Sequence, residues 1–206
     1  MHARSILAAT ILALSFTPGL AAQVWDAPAF LPPGPRNDLG IYLADPHASD
    51  IGLLAIWRRA GSGITLGIRA GVFTFDDPVY VIGADVGQTL ISAADDIPID
   101  ITATLGLGAT FDGGTFARLP AGLSFGRTFQ ANNWIFALYV HPRIGLDIAV
   151  SDADSESQVS FTTDVGGDLY LSRDVMLRLG ITVGDHHAVG LGIAATGGLL
   201  PRVALR

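Results

Sequence analysis

Between residues 97 and 111 the chain alternates without a break. Ile97, Ile99, Ile101, Ala103, Leu105, Leu107, Ala109 and Phe111 are apolar, and none of Pro98, Asp100, Thr102, Thr104, Gly106, Gly108 and Thr110 between them is hydrophobic. A period of two marks a strand with two unlike faces. The same rhythm, broken by short runs rich in Asp, Gly, Asn, Ser and Pro, predicts ten strands. They lie near 38–45, 51–59, 63–75, 79–91, 97–111, 115–129, 133–150, 158–171, 174–184 and 187–196. No stretch has a period of 3.6, so no crossover helix is available and the sheet is expected to be antiparallel throughout.

The non-hydrophobic phase of these strands is dominated by glycine and threonine: Gly67 and Gly71, Gly83, Gly87 and Thr89, Gly106 and Gly108, Gly180 and Thr182, Gly190 and Gly192. Such a face makes a poor solvent surface but suits a narrow, curved interior. Composition sharpens the choice. Half of the residues are hydrophobic and only 15% are charged, where a soluble domain carries roughly a quarter. Lysine is absent, and Glu156 is the one glutamate. In a soluble lipid-carrying barrel the apolar set points inward; in a membrane barrel it meets hydrocarbon. The expected fold is therefore all-β, a closed antiparallel up-and-down transmembrane barrel of eight to ten strands, with ten favoured. Closure removes the unpaired edges that lipid cannot satisfy. Aromatic residues in the outward phase fall at strand ends, as interfacial girdles require. Trp57, Phe129 and Trp134 belong to one rim, and Tyr80, Phe111 and Phe161 to the other.

The N-terminus has a separate logic. Arg4 begins an apolar run over residues 6–16, Pro18 and Gly19 break it, and Leu20, Ala21 and Ala22 precede Gln23. That is the layout of a secretory signal peptide, and the run is too short for a membrane helix. The chain thus divides into a signal peptide (1–22), a proline-rich arm (23–36) and a barrel (37–206). Net charge is −7, and −8 once Arg4 is removed. A surface for nucleic acid needs a basic excess, so that class of partner is excluded. Without cysteine, disulfides and thiolate metal sites are excluded as well.

Taken together, the 23–206 pattern resembles the small eight- to ten-stranded, porin-like outer-membrane barrels of Gram-negative bacteria. The resemblance rests on the hairpin rhythm and not on a diagnostic motif. It implies residence in the outer membrane, with that membrane's lipids as partners. One departure is visible: such barrels usually end their last strand on an aromatic residue. Here Val189, Leu191 and Ile193 keep the alternation, and the chain runs on through Gly197 and Gly198 to Arg206.

The inward phase also carries charge: Arg69, Arg118, Arg143 and Arg178, against Asp85, Asp100, Asp147, Asp164 and Asp168. Charges enclosed in a narrow lumen must be paired. A turn over Asp76, Asp77 and Pro78 that sets Phe75 opposite Val79 brings Arg69 opposite Asp85. A turn over residues 172–174 brings Asp168 opposite Arg178, and Arg143 falls near Asp164. These six residues predict an ion-paired, plugged lumen and a structural or surface-interaction role. Two alternatives stay open, an outer-membrane barrel enzyme acting on lipid or peptide and a soluble periplasmic carrier of a hydrophobic ligand. For an enzyme, His141 with Ser124, Ser160 and Asp147 supplies the residue types of a nucleophile, base and orienting acid. Its depth in the strand does not match a rim site, and a lumen histidine is the simpler reading. Asp185, His186 and His187 sit in the last turn, and one adjacent histidine pair falls short of a metal site. The acidic 151–158 loop lacks the glycine and glutamate spacing of a calcium loop. No cofactor motif is present, and no soluble ligand is named by the residues.

Overall fold

The computed structural model describes residues 25, 27–46, 51–74, 78–94, 96–111, 115–150 and 155–197. The signal-peptide reading of residues 1–22 lies outside them. Ten strands follow in chain order: β1 (Asp38–Asp45), β2 (Gly52–Ala60), β3 (Ile64–Thr74), β4 (Pro78–Ile91), β5 (Asp100–Phe111), β6 (Thr115–Ala131), β7 (Trp134–Val150), β8 (Ser155–Tyr170), β9 (Val175–Gly184) and β10 (Ala188–Thr196). Each pairs antiparallel with its sequence neighbour, and β1 pairs with β10 from Asp38↔Thr196 to Asp45↔Val189, which closes the barrel. Among the described residues there is no helix.

Side-chain alternation sets the two faces. On β5, Leu105 and Leu107 are 54% and 55% exposed, while Thr104 before them and Gly106 between them are buried. Large apolar side chains point outward from every strand in the same way, including Ile41, Leu53, Ile68, Ile82, Leu119, Ile144, Val165, Leu179 and Leu191. Hydrocarbon is the medium that such an exterior fits, and the closed ladder leaves no edge to satisfy. The architecture is that of a membrane-spanning β-barrel. A soluble carrier would need the aliphatic set inside, so that alternative is set aside.

Local chemistry explains where strands begin and end. Ala131 and Trp134 pair across a two-residue turn, Asn132-Asn133, with Asn132 at φ 52°. Asparagine accepts that left-handed conformation more readily than most residues. The alternation from Ile97 onward predicts a strand, but β5 starts at Asp100. Pro98 has no N–H to give a ladder, and β4 ends at Ile91 after a register shift between Thr89 and Ile91, leaving residues 97–99 outside the ladder, with the Ile97 carbonyl accepting from the Ala94 amide at 2.8 Å instead. In the opposite sense, β8 starts at Ser155, because Val150↔Ser155 continues the ladder into the acidic loop expected over 151–158.

Candidate functional site

Part of the N-terminal arm lies against the inward face of the barrel. Trp25, Ala27, Ala29, Phe30 and Leu31 of the N-terminal arm are all buried, and they share one apolar cluster with Tyr42, Leu54, Ile56, Phe73 and Val81 from β1–β4. The arm, expected as a lead-in, lies inside, and the inward face, expected to be small or polar, carries these apolar side chains over β1–β4 to receive it. Proline composition makes this possible. Pro28, Pro32, Pro33 and Pro35 lack amide hydrogens, so the arm can cross the interior without strand pairing and without burying many unmet donors. The glycine face makes the room. A Cβ on Gly190 would lie 2.5 Å from the Phe30 ring, one on Gly106 2.6 Å from the Trp25 ring, and one on Gly180 2.9 Å from Pro28 Cβ. Phe30, held at φ 51°, stacks on Tyr42 with ring centroids 4.3 Å apart.

Polar groups of the wall fasten the arm at four backbone atoms. The Ala29 amide donates to Asp164 Oδ2 at 3.2 Å, and the Ala29 carbonyl accepts from Arg58 Nη2 at 3.0 Å and Arg69 Nη2 at 2.8 Å. Ser124 Oγ donates to the Leu31 carbonyl at 2.6 Å, and the Gly34 amide donates to Thr102 Oγ1 at 3.0 Å. The Arg69 guanidinium also lies 3.7 Å from the Trp25 ring centroid, a cation–π contact favoured by its desolvation.

The inward charges form linked sets. Arg178 donates to Asp168 through Nε at 2.6 Å and Nη2 at 3.1 Å, and to Asp38 Oδ2 at 2.9 Å. Arg36 adds a 2.8 Å contact to Asp168. Arg58 lies between Asp38 and Asp85 at 3.9 and 3.5 Å, and Arg69 Nη2 donates to Asp85 Oδ2 at 3.2 Å. A second set centres on Asp164, which accepts from Arg143 Nη2 at 3.1 Å and Thr182 Oγ1 at 2.7 Å. In a third, Arg118 grips Asp147 with two nitrogens and lies 2.8 Å from His186 Nε2.

Each pair proposed from hairpin registers therefore lies within ion-pair distance, but one register differs. Asp168↔Arg178 are direct partners. Arg69 instead faces Gly83, with Asp85 facing Gly67. Pro78 opens β4 as the partner of Thr74, a first-residue place that proline tolerates, so the hairpin closes earlier than expected. Parity survives, and the arginine side chain covers the diagonal. Asp100 is half-buried at the start of β5 and its Oδ1 accepts from the Ala93 amide. The residues missed are Asp38, Tyr42 and Arg58; their phase was readable, because each alternates with outward Leu39, Ile41 and Trp57.

His141 is buried between two other partners than those expected. Its Nε2 is 2.8 Å from Thr104 Oγ1 and its Nδ1 is 3.3 Å from Asp164 Oδ2. Ser124 is committed to the arm and Asp147 to Arg118, so the expected grouping around His141 does not form. The girdle residues separate by rim. Trp57, Phe129 and Trp134 lie toward the end where β1 begins, and Phe129 stacks on Phe136 at 5.3 Å. Tyr80 and Phe111 are cross-strand partners at the other end, and Phe161 pairs with Ile144 toward that same end.

No protein-family model matches the chain, and no curated protein matches it. Among the solved structures that are similar, three outer-membrane or designed barrels match at low scores. A de novo designed transmembrane β-barrel gives a TM-score of 0.42 at 11% identity, covering 81% of this chain and 100% of that one. The KdgM porin gives 0.44 at 8%, covering 78% and 99%. The beta domain of the Bordetella autotransporter BrkA gives 0.41 at 15%, covering 81% and 100%.

Proposed function

We propose that this protein is an outer-membrane barrel with a structural or surface-interaction role, whose lumen is plugged by its own N-terminal arm and by ion pairs instead of conducting. The observation that carries this reading is the seat of Ala29, bonded through its amide to one wall and through its carbonyl to two arginines of another. An aqueous pore needs a continuous polar path. Here the interior is filled by apolar arm side chains on one side and by mutually paired charges on the other. Ten strands also enclose too little space for a wide channel beside such a segment. The outer-membrane assignment rests on the leader over residues 1–22 together with the hydrocarbon-facing belt.

Reconstitution in a planar bilayer tests the plug. The intact protein is expected to give no steady openings, and sustained large single-channel currents would overturn the reading. Cell fractionation with gel mobility before and after heating tests location and closure together.

A further inference from the structure

We propose, building on the plugged-lumen reading, that the Ala29 carbonyl occupies a binding site for small carboxylate-bearing solutes, and that the arm is a displaceable stand-in for them. Two guanidinium groups from adjacent strands converge on this one oxygen, at 2.8 and 3.0 Å. Both are buried, and neither is used up by it. Arg58 Nε and Nη1, Arg69 Nε and Nη1, and the nearby Arg143 Nε are buried donors without a hydrogen-bond acceptor. Asp85 and Asp38 hold the Arg58 guanidinium only at 3.5 and 3.9 Å, beyond good hydrogen-bond length.

A neutral carbonyl is a poor match for such a group of donors. It presents one oxygen and no net charge. A carboxylate presents two oxygens with about four lone-pair sites, and its charge-assisted bonds to arginine are roughly twice as strong as neutral ones. The planar guanidinium fork fits that geometry where a spherical anion does not. Asp164, the nearest acid on the amide side of Ala29, is already matched by Arg143, Thr182 and His141, so its charge is compensated. The arm's own seat is not relaxed. Phe30 next to Ala29 sits at φ 51°, a strained conformation for a bulky residue that exit would release. The four prolines keep the arm stiff, so its withdrawal frees the whole site at once.

The absence of cysteine allows a direct test. Ala27 is fully buried, so the Ala27→Cys variant of the full chain carries a single thiol whose reaction with a membrane-impermeant maleimide reports arm exit. In vesicles with sodium chloride, labelling should be slow. Replacing chloride by acetate at equal ionic strength should accelerate it several-fold, and the acceleration should vanish when Arg69→Gln and Asp85→Asn are added together, a change that keeps the lumen's net charge. Should that triple variant lose heat-modifiable mobility, Arg69→Lys replaces it, keeping charge while removing the fork, and should weaken the acetate effect. Labelling equally slow in both salts would overturn the carboxylate site while leaving the plug intact. Rapid labelling in chloride alone would overturn the plug and this inference with it.

Discussion

Asp168 and Arg178 face each other directly across β8 and β9, and the guanidinium reaches on to Asp38 at 2.9 Å. All three side chains are buried. Arg178 thus neutralises acids on both sides of the β1–β10 closure. Its loss would leave Asp38 and Asp168 with only Arg58, at 3.9 Å, and Arg36. Removing one partner from a buried pair costs about 3–5 kcal/mol, so Arg178→Leu should lower the unfolding free energy by that order in urea titrations of vesicle-reconstituted protein. An unchanged midpoint would show that the charges do not hold the closure.

Gly190 and Phe30 make a separate prediction, one of shape. A methyl group at Gly190 would sit 2.5 Å from Phe30 Cζ, so Gly190→Ala should cost about 1–3 kcal/mol as overpacking. Most of that cost should disappear in a Phe30→Ala background, because the nearest atom outside Phe30, the Leu43 carbonyl oxygen, is at an ordinary 3.4 Å. A double-mutant cycle on unfolding free energies gives the coupling. Additive effects would mean that the arm does not occupy the space beside Gly190.

Period two made the barrel legible because lipid and lumen sort side chains by phase alone. All strands but β5 and β8 lie within two residues of their expected ends, since polar turns punctuate the alternation between them. The errors came from features that periodicity does not encode. Pro98 breaks the ladder while preserving alternation, and the β3–β4 register depends on which residue of the Asp76-Asp77-Pro78 turn opens β4. The arm was harder still. Residues 25–35 have no period, and their fit depends on glycines far away in sequence, at 106, 180 and 190. Proline richness alone describes a linker equally well. Thr104 and His141 meet over Gly122 of the strand between theirs, a contact between strands that do not pair, which hairpin registers cannot give.

The outward phase implies a depth-dependent cost. Leu105 lies midway along β5 and is 54% exposed, whereas Leu171 is as exposed but lies in the turn after β8. An arginine at the bilayer midplane of a barrel costs about 2–4 kcal/mol, falling to about 0–1 near the interface. Leu105→Arg should therefore destabilise the protein in lipid vesicles far more than Leu171→Arg. Equal small costs at both positions would place β5 in water and remove the membrane assignment.

Trp25 and Phe30 are the arm's two large anchors. One covers Gly106 and lies against the Arg69 guanidinium; the other covers Gly190 and stacks on Tyr42. Neither belongs to the strand ladder, which closes through β1 and β10 without the arm. Replacing both by alanine should therefore weaken the seat of the arm while leaving the barrel closed. The Trp25→Ala/Phe30→Ala protein is expected to keep its heat-modifiable mobility and to show frequent openings in a planar bilayer where the unmodified protein shows none. If mobility is kept but the current stays silent, the paired charges close the lumen by themselves and the arm is not what blocks it.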